Sequence, residues 1–200
     1  MNKIITIGRE FGSGGRELGR RLAEKLGYQY YDKEIITEIA KKTQLSEGYI
    51  DHVLEQNPMN LYPITIGHSI NLIDTSAFNQ FQSVYSAQTE ILKSLADKSN
   101  CVIVGRCADY ILKDYNPFKI FVYADMESRM ARCESRKLEG ENYTPKQLKK
   151  MIKKVDKNRA RYYDFYTGQS WGDKSNYDLC INTTDTVIKE IVEVIAKIFE

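Results

Sequence analysis

Excess charge is almost absent from this chain: lysine and arginine outnumber aspartate and glutamate by only 29 to 27 over 200 residues. Non-specific nucleic-acid binding needs a strong basic excess, so no nucleic-acid partner is expected, and any anion site must be a local gathering of arginines and backbone amides. Long apolar runs are missing too. Nothing approaches the ~18 consecutive residues that span a bilayer, and Met1-Asn2-Lys3-Ile4 lacks the apolar centre of a signal peptide. No membrane partner is expected, and the expected location is the cytoplasm. Cysteine is scarce: Cys101, Cys107, Cys133 and Cys180 form no C-x-x-C pair and have no histidine cluster nearby, which argues against a zinc site and a disulfide framework. Cys101 and Cys180 fall in apolar, strand-like runs and read as buried, reduced thiols. The only histidines, His52 and His68, give no argument for catalysis.

What is present suits an ordinary folded domain, since 42% hydrophobic and 28% charged residues supply both a core and a solvated surface. The length fits one compact domain with a small inserted lobe. Lys3–Ile7 is a β-branched apolar run that reads as a buried strand. After four glycines, Leu18, Leu22 and Leu26 recur at helical spacing, and Gly27 is placed to close that helix. Further strands are predicted at Tyr28–Tyr31, Cys101–Val104, Lys119–Tyr123 and Tyr177–Ile181. Helices are predicted over Lys33–Lys42, with Asp32 as a candidate cap, and over Val84–Leu95, Ala108–Leu112, most of Met126–Tyr163 and a last stretch from Thr186. Residues 44–81 are irregular in pattern and read as an inserted helical lobe or a cover over the sheet. Strands alternating with helices imply an α/β fold, a five-stranded parallel sheet flanked by helices, with ligands beyond the carboxyl ends of the strands.

The turn Gly8-Arg9-Glu10-Phe11-Gly12-Ser13-Gly14-Gly15-Arg16 carries the strongest chemical signal. Backbone amides can converge on a phosphate only where side chains do not obstruct them, and the following helix adds its unsatisfied N-terminal amides. Gly12, Ser13, Gly14 and Gly15, between a strand and a helix, are therefore the predicted phosphate site. The common phosphate-loop signature ends in lysine and a hydroxyl residue. Here Gly15 or Arg16 stands at the lysine position and no Ser or Thr follows, so Arg16 is the available cation and the magnesium ligand is left unassigned. A plain tight turn would need fewer glycines, and a dinucleotide-binding loop would need glycine where Glu17 stands.

These residues, with Tyr31-Asp32-Lys33-Glu34, Val104-Gly105-Arg106 and Tyr177-Asp178-Leu179-Cys180-Ile181-Asn182-Thr183, resemble the bacterial cytidylate kinase-like family, P-loop relatives of the nucleoside monophosphate kinases. The likeness runs over nearly the whole chain and is weakest between Gln44 and Phe81. It implies a P-loop NTPase fold of the monophosphate-kinase type, spanning residues 1–200 as a single domain with an inserted acceptor-side lobe at 44–81 and an arginine-rich lid region at 129–161. It also implies ATP and Mg2+ as cofactors, with Gly12, Ser13, Gly14, Gly15, Arg16 and Glu17 holding the ATP phosphates, small-molecule nucleotide partners, and phosphoryl transfer to a CMP- or dCMP-like acceptor. Asp32 would lie near that acceptor, a role that competes with simple helix capping. Gly105 and Arg106 would hold its phosphate.

Arg129, Arg132 and Arg136 share one helical face, and Arg159 and Arg161 follow a second helical stretch. In monophosphate kinases the matching region is a lid whose arginines reach the transferring phosphoryl group, where charge builds up. Arg132, Arg136, Arg159 and Arg161 are the lid candidates, ahead of Arg129. A solvated face laced with ion pairs to Glu134, Glu139 and Glu141 is the competing reading. Tyr162, Tyr163, Phe165, Tyr166 and Trp171 form an aromatic patch that either stacks on a base or, more simply, packs the returning helix on the sheet.

Overall fold

The first strand, β1 (Ile4–Arg9), becomes the centre of a five-stranded sheet because its first four residues, three of them isoleucine, are buried and can be covered on both faces. Its neighbours are β3 (Cys101–Val104) and β4 (Phe118–Tyr123), with β2 (Gln29–Tyr31) and β5 (Leu179–Asn182) at the edges, all parallel. The computed structural model describes residues 2–55, 75–137 and 143–199. Residues 56–74 and 138–142, which include much of the expected lobe, His68, Glu139 and Glu141, lie outside them.

Side chains alternate across the sheet. Ile5 and Ile7 pair in register with Val102 and Val104 and point to one face. There α1 (Gly15–Leu26) and α8 (Ile188–Ala196) cover them with Leu18, Leu22, Val192 and Ile195. Leu18 and Leu22 are wholly buried, each contributing about 1.5–3 kcal/mol through that burial. Ile4, Cys101 and Ile103 point to the other face, against α2 (Glu34–Thr43), α3 (Glu47–Glu55) and α4 (Thr75–Lys98). Two further helices join this second layer, α5 (Ala108–Ile111) and α7 (Pro145–Thr167), whose Tyr162 and Tyr163 are core residues. Between β4 and α7 stands α6 (Met126–Glu134).

The helix ends follow local chemistry. Gly27, left-handed at φ 67°, closes α1 as expected. Thr144 and Gln147 form a reciprocal capping box with Pro145 in the first turn of α7, so the helix restarts there. The described ends of the expected helical lobe, around residues 50 and 80, are helices: Ile50 and Val53 on α3 and Phe81 and Val84 on α4 bury short apolar faces against the sheet. One expectation is corrected. Asp32 does not cap α2, which starts at Glu34 after Lys33 without a side-chain cap; its carboxylate is drawn away by arginines. The cysteines are free thiols, Cys101 and Cys107 buried and Cys133 and Cys180 half-buried, so Cys180, on the edge strand, is less covered than expected. Among the described residues no helix is long and apolar enough to cross a membrane.

Candidate active site

The glycine turn joins β1 to α1 and lines a cleft of about 370 Å³, with Gly12, Gly14, Gly15 and Arg16 on its wall. Gly12 and Gly14 have φ of 80° and 85°, a left-handed backbone that other residues resist. Gly14 precedes α1 and no side chain caps the helix, so its first-turn amides face the cleft with their positive dipole end. Ser13 is different. It is fully buried, its hydroxyl donates to Glu10 O at 2.9 Å, and its own carbonyl accepts from Thr183 Oγ1 at 2.6 Å. Its side chain therefore holds the loop shape and is turned away from the cleft.

A second cleft, about 510 Å³, opens at the carboxyl ends of β1 and β3 and is lined by Gly105, Arg106, Asp109, Tyr162, Tyr163 and Trp171. Both volumes fall in the range of small-molecule sites. The two clefts share four wall residues: Arg9, Phe11, Arg16 and Arg159. Asp32, almost buried, lines neither and sits behind the junction, with Arg16 Nε at 2.6 Å and Arg9 at 3.7 Å. Burial, above all, pushes the Arg9 guanidinium pKa well down; the charges of Arg159, Arg106 and Arg16 push the same way, and Asp32 opposes them. Such crowding of cations is costly unless an anion joins them. Arg9 escaped sequence reasoning because it reads as one more loop residue. The signal available was its place one residue after Gly8, at the strand end where ligands collect.

The turn after β3 is unusual. Gly105, Arg106 and Cys107 are all left-handed, with φ of 74°, 62° and 52°, and two of them are not glycine. Backbone strain of this kind costs of order 1–3 kcal/mol per residue and persists where surrounding structure enforces it. Here the fully buried Gln88 of α4 donates to Arg106 O at 3.0 Å. Deeper in the cleft, Tyr163 Oη donates to Asp109 Oδ2 at 2.6 Å. Burial raises the Asp109 carboxyl from its ordinary 3.8, with the Tyr163 hydrogen bond and two backbone amides pulling it back. The folded state thus holds a proton that the unfolded state has lost, between pH ~4 and the raised value, and stability falls as pH rises through that window. Asp109→Asn, which keeps an acceptor for Tyr163, is expected to remove that slope and raise stability at pH 7, as read by urea unfolding from pH 4 to 8.

The loop is braced from behind. Arg129, only 5% exposed, donates from Nε to Phe11 O at 2.7 Å and pairs with Glu10 at 3.1 Å and with Asp156. Asp156 accepts from Phe11 N at 2.7 Å. The aromatic patch mainly packs: Tyr85 stacks on Tyr166 at 4.1 Å and Phe121 meets Trp171 edge-on at 5.3 Å, although Tyr162, Tyr163 and Trp171 also face the second cleft.

The model of the cytidylate kinase-like family matches residues 4–185. The chain belongs to that family. Over 195 residues it is 26% identical to the cytidylate kinase of Thermoplasma acidophilum, covering 96% of this chain and 89% of the relative. It is also 26% identical over 204 residues to that of Desulfurococcus amylolyticus, covering 100% and 94%. An uncharacterized protein from Eubacterium ventriosum has a similar structure, with TM-score 0.70, 30% identity and 98% of each chain covered. Shikimate kinase from Bacteroides thetaiotaomicron aligns with TM-score 0.58 at 15% identity over 98% of each chain, a likeness of fold alone. This cytidylate kinase-like protein is thus a phosphotransferase with a P-loop kinase fold, and its family implies ATP and nucleotide substrates.

Within the cytidylate kinase-like protein the expected lid arginines part company. Arg159 reaches both clefts, donates to Arg9 O at 3.3 Å and lies over the Phe11 ring at 5.6 Å. Arg161, two residues on, falls on the far side of α7, is exposed, and lines neither cleft. Arg132 lines the first cleft while bonding to the Thr183 carbonyl and hydroxyl. Arg136 lines it while pairing with Glu17. Glu17 lies beside that cleft: burial alone would raise its carboxyl, and Arg21 at 2.8 Å together with Arg136 outweighs burial and holds it below the usual range.

The family implies magnesium, but the carboxylates around the loop do not suit it. Glu10 faces Arg129, Glu17 faces Arg21 and Arg136, and Asp32 faces Arg16 and Arg9. Among the described residues no group of three or more His, Cys, Asp or Glu is placed to hold a metal ion.

Proposed function

We propose that the protein transfers the terminal phosphoryl group of ATP to a nucleoside monophosphate of the CMP or dCMP type, with the diphosphate and ADP as products. The observation that carries this reading is the meeting of two clefts at Arg9, Phe11, Arg16 and Arg159. A donor held on the glycine turn and an acceptor held beside Arg106 would bring their phosphates together at that junction. The γ-phosphorus bond to the ADP oxygen breaks as a bond to an acceptor phosphate oxygen forms. Charge spreads over the transferring oxygens, and fixed guanidiniums offset it with little covalent chemistry from the protein. Arg132, Arg136 and Arg159 belong to a segment, 129–161, that would close over the donor and exclude water. The aromatic walls of the second cleft suit a base.

The test is product formation with ATP, magnesium and a panel of nucleoside monophosphates, resolved by chromatography. CDP or dCDP is the expected product, formed faster than any other diphosphate. ATP binding without transfer to any acceptor would favour a regulatory nucleotide-binding protein, and transfer only to a non-nucleotide metabolite would move the acceptor outside this class. Unchanged thermal stability at millimolar ATP would remove all three readings.

A further inference from the structure

Resting on that reading, we propose that Arg9 takes the place of the missing phosphate-loop lysine, reaching the terminal phosphates of ATP from the end of β1. Gly15 sits where that lysine would stand, inside α1 with no left-handed backbone to require glycine. What requires it is Arg9: a Cβ at position 15 would lie 2.5 Å from Arg9 Cβ and 3.1 Å from Arg9 Cγ. At the other end of the same side chain, a Cβ on Gly105 would collide with the Arg9 guanidinium. Two glycines far apart in sequence thus leave a channel that one arginine fills, from the mouth of the glycine turn to the end of β3. Its side chain is 11% exposed and Arg9 lines both clefts, at the point where a phosphoryl group would pass from donor to acceptor.

Asp32 does not account for this placement. Its 3.7 Å contact with Arg9 is longer than a hydrogen bond, and the same carboxylate already has Arg16 at 2.6 Å. A guanidinium carries five donors in a rigid fork that matches phosphate oxygens. Lysine normally enters the site from the helix; here an equivalent charge enters from the strand, and the helix position is emptied to admit it.

The experiment titrates wild type, Arg9→Ala, Arg9→Gln and the double variant Arg9→Gly/Gly15→Lys, in which no Cβ at position 9 is left to meet the one at 15, with ATP and with inorganic tripolyphosphate by calorimetry, after circular dichroism has confirmed folding. Arg9→Ala and Arg9→Gln are expected to bind both ligands about tenfold or more weakly, the loss of one charge-assisted contact. The double variant, with the whole side chain at position 9 removed and lysine in its usual place, is expected to recover most of that loss. Arg9→Gln keeps the stem over Gly15, so it decides the matter if Arg9→Ala does not fold. Wild-type affinity in Arg9→Gln, or a double variant no tighter than Arg9→Ala, would reduce Arg9 to a brace and overturn the proposal. Wild type that binds tripolyphosphate through Arg9 but transfers no phosphoryl group would support it while removing the kinase reading above. Wild type that binds neither ligand would remove both.

Discussion

Asp156→Ala is expected to cost about 3 kcal/mol or more of folding stability, near the low end of what breaking a buried ion pair costs. The substitution leaves Arg129, 5% exposed, with Glu10 at 3.1 Å as its remaining carboxylate, and it also strips Phe11 N of its 2.7 Å acceptor. For a chain of this length the melting midpoint should fall by roughly 10 °C in scanning calorimetry. Asp156→Asn, which still accepts from Phe11, should lose less. A midpoint within about 2 °C of wild type for Asp156→Ala would show that the pair is not the clamp its burial implies. Because the same residues grip Phe11 from both sides, ATP affinity should fall along with stability.

The second large effect is expected at Arg106. Truncating one partner of a buried, hydrogen-bonded charge pair costs about 2–5 kcal/mol, so Arg106→Ala should lower kcat/KM for the acceptor roughly 30-fold to several thousand-fold. Arg106 lines only the second cleft. ATP affinity should therefore change little, a split that separates acceptor binding from general damage. Arg106→Lys should recover part of the loss, since it restores charge without the planar fork. Gln88→Ala is the positioning control: it frees the Arg106 carbonyl held at 3.0 Å and should raise the acceptor KM by a smaller factor. Equal losses toward ATP and acceptor in Arg106→Ala would argue against a dedicated acceptor role.

The sheet was largely legible because its signals are local. Cys101–Val104 is a run of four apolar residues that is buried throughout, and Gly27 closes α1 where a left-handed residue was needed. The glycine turn was legible for the same reason, as strand, turn and helix in order. What stayed hidden depends on distant partners. Asp32 reads as a helix cap until Arg16 and Arg9 fold against it. Ser13 reads as a phosphate contact until its hydroxyl turns in to Glu10 O, in a loop pinned at the Ser13 carbonyl by Thr183, 170 residues away in sequence. Arg161 is a separate case: the helical period that groups Arg129, Arg132 and Arg136 already sets it apart from Arg159, and grouping those two by sequence proximity neglected that period. The segments at Ile50 and Phe81 carried too few apolar positions for a helix to be read from spacing alone.

The channel that holds Arg9 ties three positions into one unit of descent. No lineage can regain lysine at position 15 in a single step, since its first carbon already meets the arginine stem. Position 105 favours glycine twice over, through its left-handed backbone and through the guanidinium that lies against it. Relatives should therefore divide into two groups, one with arginine at position 9 and glycine at 15 and 105, the other with lysine at 15 and glycine at 9. A chain carrying both cations would be an intermediate that selection has reason to pass through quickly.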